Sequence, residues 1–77
     1  MTSAPSTPSG PIPVTINGTL KELPGPMTVG ALLRFLELGE RSVAVERNRV
    51  LVPKKRFSEV SVERGDELEI VTFFGGG

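Results

Sequence analysis

Asn17-Gly18 constrains the fold of this chain more than any other pair of residues. Both tolerate positive φ, which a two-residue type I′ turn needs at its two central positions. That turn carries the twist that lets two strands pair as a tight hairpin. Ahead of it, Ile12-Pro13-Val14-Thr15-Ile16 alternates apolar and non-apolar, with Ile12, Val14 and Ile16 on one face. Thr19 to Leu23 is the returning strand. Pro13 has no amide hydrogen to give to a ladder, so the start of the first strand is expected to be unpaired on that side.

Pro24-Gly25-Pro26 breaks the second strand and opens a crossover. Thr28 suits a helix N-cap, because its hydroxyl satisfies an orphan amide of the first turn. Val29, Leu32, Leu33 and Leu36 follow at i, i+3, i+4 and i+7, one stripe of an amphipathic helix. With Gly39 as the left-handed residue that closes it, the helix is predicted to run about ten residues. So short a helix depends on packing its stripe against a sheet. Phe35 and Leu38 lie off the stripe and are expected at the core's edge or partly exposed.

Ser42 to Arg47 reads as a strand with Val43 and Val45 inward and Glu46 outward. Asn48-Arg49 turns into the brief strand Val50-Leu51-Val52, which Pro53 ends. Lys54 to Glu59 is polar except for Phe57, expected to plug the core from a loop or a single helical turn. Val60 and Val62 bracket Ser61, and Glu63-Arg64-Gly65-Asp66 is a turn with glycine available for positive φ. In the last strand, Glu67 to Phe73, Leu68 and Ile70 alternate with Glu67 and Glu69. Val71 and Phe73 share the face of the glutamates, and Phe74 follows, so the solvated face turns apolar as it nears the end.

Hairpin, helix, strand, short strand and last strand are the order of an α+β chain. It resembles a β-grasp, or ubiquitin-like, fold: a mixed sheet of four to five strands wrapping one helix. A ferredoxin-like arrangement needs a second full helix, and Lys54 to Glu59 is too short and polar to supply it. Residues 12–74 form the expected domain. Residues 1–11 have no charged side chain and are rich in Ser, Thr and Pro, so a disordered extension is predicted there. Residues 75–77 are read as a flexible glycine tail.

Composition narrows function mainly by what it withholds. There is no His and no Cys, which removes the usual neutral-pH general base, the thiolate nucleophile and the strong zinc ligands. No glycine-rich stretch runs into Gly-Lys-Ser/Thr, so the chain is not expected to bind ATP itself. Nine basic and nine acidic residues cancel, whereas a nucleic-acid binder of this size draws its affinity from a basic excess. Lys54-Lys55-Arg56 is read as solvated surface. No apolar run approaches the length of a membrane span, and the N-terminus lacks a signal-peptide pattern. A soluble, cytoplasmic protein is expected, and a stand-alone enzyme is not.

Several stretches are similar to a known family. Ile16-Asn17-Gly18, Ala44-Val45-Glu46-Arg47-Asn48, Val52-Pro53 and Gly65-Asp66-Glu67-Leu68-Glu69-Ile70-Val71, ending in Phe-Phe-Gly-Gly-Gly, resemble the sulfur carriers of thiamine biosynthesis, the ThiS family. The resemblance covers residues 12–77. It implies that an E1-like enzyme adenylates the C-terminal carboxylate with ATP, and that a cysteine-derived persulfide on a sulfur-donor protein converts it to a thiocarboxylate. A thiazole synthase then takes the sulfur. On this chain the resemblance implies Gly77 as the attachment point, with Gly76 and Gly75 completing the arm and no cofactor bound by the chain itself. Related carriers for molybdopterin synthesis or tRNA thiolation, and ubiquitin-like modifiers, share this chemistry. An inert binding module with a glycine end is the alternative from another class.

The physics of the tail points the same way independently. A terminal carboxylate has a pKa near 3.5 and is ionised at neutral pH, hence a poor electrophile that something else must activate. Three glycines extend roughly 10 Å and fit a channel too narrow for side chains. Beside them Val71, Phe73 and Phe74 are expected to form an apolar docking patch, since strand alternation cannot bury all three. Glu63, Asp66, Glu67 and Glu69 are read as acidic surface, either steering a basic partner or serving solubility.

Overall fold

A computed structural model describes residues 10–39 and 42–73. Residues 1–9 of the expected extension 1–11, Phe74 at the end of the expected domain and the expected glycine tail 75–77 lie outside these. Strand β1 (Ile12–Ile16) and β2 (Thr19–Leu23) form the antiparallel hairpin, with Asn17 at φ 51° and Gly18 at φ 82° in its turn. The two-residue strand β3 (Met27–Thr28) leads into helix α1 (Val29–Phe35). Strands β4 (Val43–Arg47) and β5 (Val50–Val52) make a second hairpin. Its turn residues, Asn48 and Arg49, both take positive φ. A 3-10 turn at Lys54–Arg56 and strand β6 (Ser61–Val62) precede the last strand, β7 (Glu67–Thr72).

Five strands make one mixed sheet in the order β2-β1-β7-β4-β5, with β7 parallel to β1 and antiparallel to β4. This is the β-grasp arrangement expected from the sequence. One face of the sheet is covered by α1. Val29, Leu32 and Leu33 of the helix pack with Ile12, Val14, Leu23, Val45, Val52, Leu68 and Ile70 of the strands, and Phe57 plugs the same core. Each buried aliphatic side chain contributes about 1.5–3 kcal/mol, so this one layer supplies most of the drive to fold.

Strands β3 and β6 form a separate two-stranded ribbon that the sequence reading did not contain. Two residues are too few to show an alternation. The ribbon serves the start of the helix: Val29 N–H donates to Val60 O at 2.9 Å and Gly30 N–H to Phe57 O at 2.9 Å. Ala31 N–H donates to Thr28 Oγ1 at 3.1 Å, the expected cap. Three otherwise orphaned amides of the first turn are thereby satisfied.

The helix is shorter than expected, with seven residues. Glu37, at φ 65°, rather than Gly39, is the left-handed residue that ends it. Glu37 N–H donates to Arg34 O and Leu38 N–H to Leu33 O, the paired bonds of a Schellman motif. That reversal is why Leu38, off the helical stripe by spacing, packs against the core.

Asp66 corrects the acidic-surface reading. It is buried, and its carboxylate gathers three donors. Arg47 Nε donates to Oδ2 at 2.6 Å, Glu63 N–H to Oδ2 at 2.8 Å and Asn48 Nδ2 to Oδ1 at 3.1 Å. Asn48 Oδ1 in turn accepts from Glu67 N–H at 2.9 Å. The group ties the β4–β5 turn to the loop that launches β7.

Burial alone would raise the Asp66 pKa, but the bonds from Arg47, Glu63 N–H and Asn48, with the charge of Arg47, outweigh it and hold the pKa below its usual 3.8. A carboxylate depressed in the folded state adds stability above its unfolded pKa and loses it as pH falls through the folded value. Thermal melts should therefore show a drop below about pH 3.8 that Asp66→Asn lacks. Asp66→Ala should cost about 2–3 kcal/mol at neutral pH, because it strands a charged donor. Urea unfolding checks the second; a loss under half that size would make the cluster incidental.

Candidate functional site

Everything near the tail is positioned by β7, held between β1 and β4. Its parallel pairing with β1 is brief, Thr15 with Glu67 and Ile16 with Leu68, because β1 turns away at Asn17. The Asn17 side chain then replaces the missing strand. Its Nδ2 donates to Ile70 O at 3.0 Å, and its Oδ1 accepts from Ile70 N–H at 2.7 Å. One amide side chain thus imitates a strand residue and carries the ladder a rung further toward the tail. On the other side β4 pairs with β7 up to Val43 and Thr72, and Phe73 N–H donates to Ser42 O at 2.8 Å. The described chain is anchored up to Phe73.

Cross-strand partners share a face, so the register maps the side of the sheet away from the helix. Nearest the tail lies Phe73, and next Val71 opposite Ala44. One rung further, Glu69 faces Glu46, with Leu51 of β5 beyond it. Glu67 follows beside Thr15, which pairs with Leu20 of β2. Val71 is 50% exposed and Phe73 57%, so neither finishes the core. The open face is apolar at the tail end and acidic below it.

Of the residues expected to form the docking patch, Val71 and Phe73 are thus placed together on the solvent side. Phe74, Gly75, Gly76 and Gly77 are outside the described residues. Of the four expected acidic residues, Glu63, Glu67 and Glu69 are exposed, but only Glu67 and Glu69 share the open face of β7, and Asp66 is inside. The reading from sequence missed Ala44 and Glu46 as members of this face. Their alternation with Val43 and Val45 marked them as outward, but only the register shows which residues they meet. It also treated Asn17 as a turn residue alone.

Among the described residues, no cluster of three acidic, His or Cys side chains is arranged to hold a metal ion, and no helix is long and apolar enough to cross a membrane. An open groove of about 320 Å³ runs along β5 between Arg47, Leu51 and Arg56. It sits at the Leu68 end of the sheet, away from the tail.

The model of the ThiS family matches residues 14–77. The sulfur carrier protein ThiS of Bacillus subtilis is 42% identical over 50 residues, which are 65% of this chain and 76% of that protein. A thiazole synthase of Paramagnetospirillum magneticum is 50% identical over 64 residues, 83% of this chain; the chain spans only 20% of that protein's length. The crystal structure of the thiamine biosynthesis protein ThiS from Geobacter metallireducens superposes with a TM-score of 0.74 at 30% identity, covering 86% of this chain and all of that one.

The exposure of Phe73 yields a simple test of the face. Phe73→Glu should change unfolding free energy by no more than about 0.5 kcal/mol in urea titrations, as for an ordinary surface substitution. A loss of about 3 kcal/mol, typical of removing a buried aromatic, would place Phe73 in the core instead.

Proposed function

The chain belongs to the ThiS family, and on that premise we propose that it is a sulfur carrier of thiamine biosynthesis whose reacting group is the carboxylate of Gly77. An E1-like enzyme joins that carboxylate to AMP, with ATP as the source and pyrophosphate leaving. The outer sulfur of a cysteine-derived persulfide then displaces AMP to give an acyl disulfide, and a second thiol attacks the cysteine sulfur, forming a disulfide with it and releasing the thiocarboxylate. A thiazole synthase consumes it. The observation that carries this reading is the family match through Gly77, on a chain that has no His, no Cys and no P-loop with which to activate a carboxylate itself.

The geometry supports a division of labour. Ser42 and Asn17 anchor β7 almost to its end, so the point from which the tail departs is fixed relative to the sheet. Gly75, Gly76 and Gly77 then add reach without side chains to obstruct a narrow channel. Val71 and Phe73, with Phe74 next in sequence, offer the apolar surface where a partner would seat the domain while the tail enters its active site. Thiazole synthase as a partner is supported by the P. magneticum enzyme, which carries a segment similar to this chain within its own length. Covalent joining of two proteins that must meet raises their effective concentration to the millimolar range.

Intact mass after incubation with ATP, the adenylating enzyme and a sulfur donor should rise by about 16 Da, one oxygen replaced by sulfur. The rise should vanish when Gly77 is deleted. No gain with any adenylating enzyme of this type would contradict the carrier role. Phe73→Glu should weaken binding to that enzyme by about 2 kcal/mol, the scale of a buried interface aromatic, as read by titration calorimetry.

A further inference from the structure

Resting on the carrier reading, we propose that Glu46 and Glu69, one rung below the apolar end of the open sheet face, dock against a basic margin around the active-site mouth of the adenylating enzyme. The two glutamates are register partners on β4 and β7, and both are exposed. Phe73 N–H bonds to Ser42 O, and hydrogen-bonded pairs alternate along an antiparallel ladder. Glu46 and Glu69 therefore occupy a hydrogen-bonded rung, with Cα atoms about 5.5 Å apart and both carboxylates on one side of the sheet.

Like charges directly opposite each other destabilise a sheet. The nearby cations do not relieve this pair. Arg47 lies on the other face and is bonded to Asp66, and Arg49 makes a loose contact with Glu67 at 3.9 Å. Among the described residues neither Glu46 nor Glu69 has an ion-pair partner. A sheet shaped by stability alone would place opposite signs on this rung. The repulsion is relieved when a cationic surface covers the face, and the apolar neighbours Val71, Ala44 and Leu51 give that surface something to close against.

The chemistry of the partner supplies the matching charge. A site that binds the triphosphate of ATP and guides a carboxylate to it must present positive potential at its entrance. A carrier that leads with paired carboxylates on the sheet face that also bears Val71 and Phe73 is drawn to that entrance in the correct orientation. Complementary charge of this kind acts mostly on the association rate and makes it sensitive to salt.

The test compares the full chain with the double variants E46Q/E69Q and E46K/E69K, in stopped-flow association with the adenylating enzyme at low and high salt. The association rate of the native chain should fall steeply with salt. Charge reversal should lower it about tenfold or more at low salt, with much of the salt dependence gone. E46Q/E69Q should melt no lower than the native chain, since it removes the repulsion, and E46K/E69K, which exchanges one like-charged pair for another, should melt close to it, so a weaker association cannot be ascribed to unfolding. Native-like association by E46K/E69K, or native association indifferent to salt, overturns the docking proposal. If the native chain acquires its sulfur and the variants associate equally well, only this inference falls; if the native chain acquires no sulfur, the carrier reading falls with it.

Discussion

The parallel contact between the first and last strands is the joint on which this small domain depends. β7 closes the sheet only because β1 lies beside it, and the backbone pairing lasts for two residues. Two further devices keep it closed. Asn17 extends the ladder with its side chain, and Asp66 locks the entry to β7 against Arg47 and Asn48. A short parallel contact has low intrinsic stability, so the polar groups at its two ends are as much a part of the fold as the buried leucines. Through them the turn of the first hairpin and the turn of the second converge on the strand that bears the tail.

Most of the fold was legible in the sequence because its strongest signals are local. Asn17-Gly18 marks the first hairpin, Val29, Leu32 and Leu33 mark the covered face of the helix, and Leu68 with Ile70 mark the covered face of β7. Illegible were the features that arise from tertiary pairing. The β3–β6 ribbon has two residues on each side, below the length at which alternation has meaning. The helix stops at Phe35 because Glu37 accepts a left-handed conformation usually given to glycine, so Gly39 marked the wrong end. Asp66 reads as a surface turn residue, and its burial follows only once Arg47 is brought to it across the sheet.

The candidate site was legible in part for the same reason. Alternation along β7 exposes Val71 and Phe73, and the structure puts both on the open face. Their neighbours Ala44 and Glu46 come from another strand, and a register cannot be read from one chain's periodicity. The sheet divides its two faces between two tasks. One face holds the helix and makes the domain stable; the other, apolar at its Phe73 end and acidic below, has no such cover among the described residues and leaves the domain a surface to offer. The chain belongs to the ThiS family, and on the proposed carrier reading that face is the surface a partner enzyme would cover.

The most direct measurement of the central claim is ATP–pyrophosphate exchange by the adenylating enzyme, run with the full chain and with the chain lacking Gly77. A carrier activated at its terminal carboxylate supports exchange in proportion to its concentration, and the shortened chain does not. Exchange that proceeds equally with both chains, or with neither, would contradict the assignment of the chemistry to Gly77.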